Sequence, residues 1–216
     1  MLYATIVMQC FSIVDSNLND SEKYYLEKYL DVIKSQMLFS RGILLVEGIS
    51  EALLIPIFAK ILNRDLTTYA VEIVNVDGTA FSPFANVLCN KDTGNSIINC
   101  SIVTDDDRCT NKSDQETYVS LDYDFDCSVA ELDDIYSRLS KGTESDRCQR
   151  VKMLAEHGGV CMNTAYKKLE YELASEEKNI EIILKAIKAL HPIAGAKLEE
   201  LINTDSKLIY KTIRIW

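Results

Sequence analysis

The chain has 216 residues, 47% of them hydrophobic and 26% charged, which is enough for one sizeable α/β domain with a core of its own. Its formal net charge of −10 excludes nucleic-acid binding by bulk positive charge and leaves only local or metal-neutralised contacts. No run is long enough to span a membrane and no basic segment opens a signal peptide. The seven cysteines and two histidines form no CxxC pair or zinc-finger spacing, so free thiols in a reducing cytoplasm are expected.

Residues 1–14 fit either a strand or a short helix, and 15–20 form a polar turn. Ser21 is a suitable N-cap for a helix over 21–39, with Leu26, Tyr29, Leu30, Ile33, Met37 and Leu38 on one face. The wholly apolar run 43–46, with glycine on both sides, predicts a buried strand. Glu47 stands where it ends. A helix follows over 50–63, with Pro56 inside it and Ala52, Leu53, Ile57, Ala59, Lys60 and Ile61 on a mostly apolar face. Residues 70–76 are β-branched and alternate, which predicts a strand, and Asp77-Gly78 turns the chain. A short helix is expected at 81–88, a loop at 89–96, and a second apolar strand at 97–104 running into Asp105-Asp106-Asp107-Arg108. Residues 109–126 are polar and read as an insertion. Helices are expected at 129–139 and 145–157, a short strand at 160–163, a long helix over 167–190 ended by His191-Pro192, and a last helix at 197–202. Strands alternating with helices predict a mainly parallel sheet flanked by helices on both faces.

Two of these strands end in carboxylates, at Glu47 and at Asp105 to Asp107. In a parallel sheet both ends lie on one edge, where open α/β sheets place their ligands. Glu51 sits one helical turn past Glu47. Asp105 and Asp107 alternate, so they point the same way off an extended segment while Asp106 points away. Hard oxygen donors without histidine or thiol suit Mg²⁺ or Mn²⁺ rather than zinc. A pair of such ions activates water and stabilises a leaving oxygen in phosphoryl transfer. The competing reading of each carboxylate alone is a solvated loop residue or helix cap. Asp122, Asp124 and Asp126 also alternate, but no apolar strand precedes them, and they read as surface charge.

Ile43-Leu-Leu-Val-Glu-Gly-Ile-Ser-Glu51 resembles the first motif of a TOPRIM domain, and more narrowly that of the OLD (overcoming lysogenization defect) nucleases. Val74-Asn-Val-Asp-Gly78 is similar to that family's second strand and glycine turn, and Ile102-Val-Thr-Asp-Asp-Asp-Arg108 to its Asp-x-Asp motif. Lys168-Leu-Glu-Tyr-Glu-Leu-Ala174, followed by Asn179, resembles a further helical motif, and 27–41 resembles the segment before the first glutamate. The likeness runs over about residues 25 to 190.

The resemblance implies a TOPRIM (Rossmann-like) sheet over 42–190, with a helical insertion at about 109–157, a connecting segment over 1–41 and a helical segment over 191–216. It implies a metal-dependent endonuclease that hydrolyses DNA phosphodiesters with two Mg²⁺ or Mn²⁺ ions, in a family linked to phage defence. Glu47 would be a metal ligand or general acid/base. Glu51, Asp105 and Asp107 would be metal ligands, Glu170 would serve the second metal position, and Thr104 would add a hydroxyl. Arg108, Lys112, Lys167 and Lys168 are candidate contacts to DNA phosphates, with plain surface charge as the alternative. Two departures stand out. Family members carry an ABC-type ATPase domain, and this sequence has no Gly-x-x-x-x-Gly-Lys-Ser/Thr loop and hence no ATP site. The family also uses a lysine in a Lys-Gly/Ala-x-Phe-Ala motif. Tyr210-Lys-Thr-Ile-Arg-Ile-Trp216 resembles only the approach to it, and Lys211 is not in the motif. A fragment or split nuclease is therefore expected, working with a separate ATPase or as a homo-oligomer. Losing one charge-stabilising group costs about two to three orders of magnitude in rate. The alternatives are another TOPRIM activity, such as a primase or topoisomerase, and a degenerate module that binds metal or a partner without cleaving.

Overall fold

The computed structural model describes residues 16, 18–29, 37, 39–88, 98–106, 143–158, 160–166 and 168–204. The expectations for 1–14, for the helix at 129–139, for the insertion at 109–126 and for Asp107, Arg108, Lys112 and Lys167 lie outside these residues.

Helix α1 (Asp20–Tyr29) is capped by Asn19 rather than Ser21. Asn19 Oδ1 accepts the Glu22 amide at 2.9 Å, and Glu22 Oε2 accepts the Asn19 amide at 3.1 Å. This reciprocal pair satisfies two amides that the helix start leaves open, and Ser21 has no such partner three residues on. Leu26 is buried on α1, and Met37, which lies beyond the end of α1, is buried too.

Strand β1 (Gly42–Val46) is followed by helix α2 (Ile49–Ile61), strand β2 (Val71–Asn75), helix α3 (Phe81–Val87) and strand β3 (Asn99–Asp105). Helix α4 (Asp146–Gly158) leads to strand β4 (Cys161–Ala165). The sheet order is β2-β1-β3-β4. β1 pairs in parallel with β2 from Gly42↔Val71 to Val46↔Asn75, and with β3 from Gly42↔Asn99 to Val46↔Val103. The apolar run at 43–46 thus becomes an interior strand with a neighbour on each side, consistent with its wholly apolar composition. From β1 the chain moves to β2 on one side, and from β3 it moves to β4 on the other. The C-terminal ends of β1 and β3 therefore flank the point where the winding reverses.

Helix α2 overturns one expectation. Leu53, Ile57 and Ile61 are exposed, whereas Leu54, Ile55 and Phe58 are partly covered. The helix is apolar nearly all round, so side-chain pattern does not select its inward face. Pro56 lies in the helix without ending it.

The fold divides into two compact units, one of Met1–Thr104 with Arg150–Asn163 and one of Asp105–Gln149 with Thr164–Trp216. The first has a core that includes Leu26, Ile43, Leu45, Val74, Phe81, Phe84 and Ile102. Tyr25 and Phe84 meet edge to face there, with centroids 6.2 Å apart. In the second, the long helix expected over 167–190 is broken. It becomes helix α5 (Leu169–Ser175), a 3-10 turn (Glu177–Asn179) and helix α6 (Ile180–Leu190). Ser175 Oγ donates to the Glu172 carbonyl at 2.7 Å, and Asn179 Nδ2 donates to the Leu173 carbonyl at 2.9 Å. Side chains thus take the carbonyls that a continuous helix would have used. Helix α7 (Pro192–Thr204) begins on proline, whose missing amide costs nothing at a helix start. Ala174, Ile180 and Leu198 form the core of this unit.

Candidate metal site at the strand ends

Glu47 follows the last residue of β1, and Thr104 lies one residue beyond Val103, the last β3 residue in register with β1. The register therefore sets them side by side. Thr104 Oγ1 donates to Glu47 Oε2 at 2.6 Å. Thr104 is only 2% exposed, so this hydroxyl is fixed by the core beneath it. The backbone of Glu47 is pinned too. Its carbonyl accepts the Gly78 amide at 2.9 Å, next to the bond from the Val76 amide to the Val46 carbonyl, also at 2.9 Å.

The Asp77-Gly78 turn exists to make that contact. Asp77 has φ 55° and Gly78 has φ 139°, a region in which side chains are strained. Asn75 holds the turn from both directions. Its Nδ2 donates to Asp77 Oδ1 at 2.7 Å, and its Oδ1 accepts the Asp77 amide at 2.9 Å.

Glu51 is the third residue of α2 and is 6% exposed. Its Oε2 accepts the Gly48 amide at 3.1 Å, closing the helix start from the inside. Its negative charge also lies at the positive end of the helix dipole. A Cβ on Gly48 would stand 3.2 Å from Glu51 Oε2, so the glycine at 48 makes room for the carboxylate. Among the described residues Oε1 of Glu51 has no hydrogen-bond partner.

Asp105 is the final residue of β3 and is partly buried. Asp106 follows, 1% exposed, with Oδ1 accepting the Ser145 amide at 2.8 Å. Glu170, the second residue of α5, is exposed in the second unit. The neighbouring Glu172 reaches back instead, its Oε1 accepting the Tyr166 amide at 2.7 Å. Lys168 is exposed just before α5. Among the described residues no three carboxylates, thiols or imidazoles stand together as a ready-made metal cage.

Three further groups were not singled out from sequence. Arg147 donates through Nη2 to the Asp105 carbonyl. Tyr166 and Tyr171 stack with centroids 5.7 Å apart and planes at 28°. Cys148 is buried, and burial pushes its thiol up to about 11, with the Thr164 hydroxyl opposing and the Asp106 and Glu144 charges adding to the rise. Tyr171 lies within the Lys168–Ala174 motif, whereas Arg147 and Cys148 lie outside every motif quoted above.

A parallel sheet whose central strand ends in glutamate beside a buried threonine, with a second glutamate in the first turn of the next helix, is a TOPRIM-type α/β domain. Residues 38–107, about a third of the chain, match the family described as "Overcoming lysogenization defect protein-like, TOPRIM domain", and over that stretch the chain is similar to an OLD-like TOPRIM domain. No curated protein matches the chain. Among solved structures, the C-terminal region of the Xanthomonas campestris pv. campestris OLD protein is similar. It is 23% identical over 83% of this chain and 80% of that one, with a TM-score of 0.48. The C-terminal region of the Burkholderia pseudomallei OLD protein is 21% identical over 82% of this chain and 88% of that one, with a TM-score of 0.40.

Proposed function

We propose that this chain is the metal-dependent nuclease domain of an OLD-type ATP-dependent endonuclease, hydrolysing DNA phosphodiester bonds. The observation that carries this reading is the Glu47–Thr104 contact at the ends of β1 and β3, inside the matched residues and one position from the Gly48–Glu51 contact. The donors are all oxygen, and Glu51 is a nearly buried carboxylate with an oxygen left unused among the described residues. Both features fit Mg²⁺ or Mn²⁺. Asp105, Asp107 and Glu170 complete the proposed ligand set. A pair of these ions, when bound, supplies an activated water and stabilises the leaving oxygen.

The protein's own contribution is to hold the carboxylates in place. Thr104 fixes the rotation of the Glu47 carboxylate, while Gly78 fixes its backbone. Gly48 keeps Glu51 folded over the start of α2. Phosphate contact is assigned to Arg108, Lys112, Lys167 and Lys168, because a chain of net charge −10 needs local cations at the scissile backbone. An ATPase partner and the phage-defence setting come with the family reading.

The test is nicking of supercoiled plasmid by the purified chain with Mg²⁺, Mn²⁺ or EDTA, beside Glu47→Gln. Metal-dependent nicking that falls by about 100-fold or more in the variant is expected. Nicking that survives in EDTA or in the variant would overturn the assignment. Binding of Mn²⁺ without nicking would place the chain as a metal module that cuts only with its ATPase partner.

A further inference from the structure

The end of β3 is held by a set of contacts that the metal-site reading leaves without a purpose. Thr104 and Asp105 lie beyond Val103, the last β3 residue in register with β1. A carboxylate there needs other anchors. Arg147 Nη2 donates to the Asp105 carbonyl. The Asp106 amide donates to the carbonyl of Ala165, the last residue of β4, at 2.9 Å. The Asp106 carboxylate accepts the Ser145 amide at 2.8 Å. Ser145 in turn caps α4, its Oγ accepting the Cys148 amide at 3.1 Å. Arg147, the second residue of α4, and Ser145 therefore bring two anchors from one rigid helix start.

A carboxylate that is 1% exposed is costly to bury, and a solvated turn would need none. At this position it is held by an amide at a helix N-terminus, where the dipole favours negative charge. Oδ1 of Asp106 is engaged in that bond, so this carboxylate contributes to holding the backbone of the segment.

We propose that Asp106 and Arg147 are positioning residues that clamp the backbone of Asp105 and thereby set the affinity of the site for its divalent ion. The proposal rests on the reading of Asp105 as a metal ligand. The physical reason is that a ligating carboxylate must be held within about half an ångström of its working position, and outer groups that fix a ligand typically govern affinity by about 10- to 100-fold. Arg147 acts on the Asp105 carbonyl, and Asp106 locks the next peptide to β4 and α4. Between them they fix the ends of the segment that carries the Asp105 side chain.

The experiment is calorimetric titration of the whole chain with Mn²⁺, run beside circular-dichroism melting. The variants are Arg147→Ala, Arg147→Lys, Asp106→Ala and Asp106→Asn. Arg147→Ala and Asp106→Ala are expected to weaken Mn²⁺ binding by about 10-fold or more while the chain remains folded at the titration temperature. Asp106→Asn keeps the Oδ1 acceptor and is expected to restore most of the affinity, and Arg147→Lys to restore part of it. Should an alanine variant fail to fold, its conservative partner carries the comparison. Lower melting temperatures with an unchanged Mn²⁺ affinity would mean a merely structural role and would overturn the clamp alone. Absence of Mn²⁺ binding by the unaltered chain would instead overturn the metal-site reading on which the clamp stands.

Discussion

At the scale of single residues, the site depends on how tightly each carboxylate is held. Gly48 has φ −142°, an ordinary extended conformation, so its role is space and not backbone freedom. A methyl group there stands 3.2 Å from Glu51 Oε2. Gly48→Ala is therefore expected to shift the Glu51 carboxylate and weaken Mn²⁺ binding by about 10-fold, with a change in stability below about 1 kcal/mol. Calorimetric titration and urea unfolding read the two effects separately. Cys148 gives a pH dependence of known sign. Its folded value of about 11 lies above the ordinary 9.0 of a thiol, chiefly because of burial. Its stabilising contribution is whole below pH 9 and is lost as pH rises from there towards 11, because the unfolded thiol ionises first. Urea midpoints measured across that window should fall less steeply in Cys148→Ala than in the unaltered chain. Glu47 and Asp105 stood out in the sequence because each follows an apolar run, and Glu51 because it lies one helical turn past Glu47. Arg147 did not, because nothing local in Asp146-Arg147-Cys148 records that its guanidinium reaches the Asp105 carbonyl.

At the scale of elements, polar side chains decide where helices start, stop and meet. Glu22 closes the cap of α1, and its other oxygen accepts bonds from Ser82 and from Asn86, the latter at 2.9 Å, on α3. One carboxylate thus joins a helix start to a neighbouring helix across the same interface as the Tyr25–Phe84 contact. Glu22→Ala is expected to destabilise the fold by about 1–3 kcal/mol, because it strands donors on both helices. Glu22→Gln keeps an acceptor oxygen and should cost less. Chemical denaturation of the pair checks the ordering, and equal losses would sink the acceptor argument. Apolar runs and breaks marked the strands and most helices to within a few residues. The sequence did not reveal the break at 175–179, because helix propensity continues through it, and only Ser175 and Asn179 bonding to backbone carbonyls interrupts it. The inward face of α2 was equally hidden, since apolar residues surround the helix.

At the scale of the whole molecule, ion binding and folding are linked. Under the proposed function, Mn²⁺ binds the folded chain and not the unfolded one, so it adds about 2.7 kcal/mol of stability at 100 times its dissociation constant. The melting temperature should rise by several degrees with Mn²⁺ or Mg²⁺ and return with EDTA. A melting curve indifferent to either ion at every concentration would count against the metal site. Among the described residues no helix is long and apolar enough to cross a membrane. The sequence by itself determined the α/β class, the strand ends that carry acid, and the order of the TOPRIM motifs. These are local signals, written in runs of five to ten residues that need no distant partner to be read. Only the tertiary structure decided that β1 lies between β2 and β3, that Thr104 meets Glu47, and that the start of α4 grips the end of β3. Each of those depends on register and on contacts between segments tens of residues apart, and the spacing of residues along the chain does not encode which segments meet.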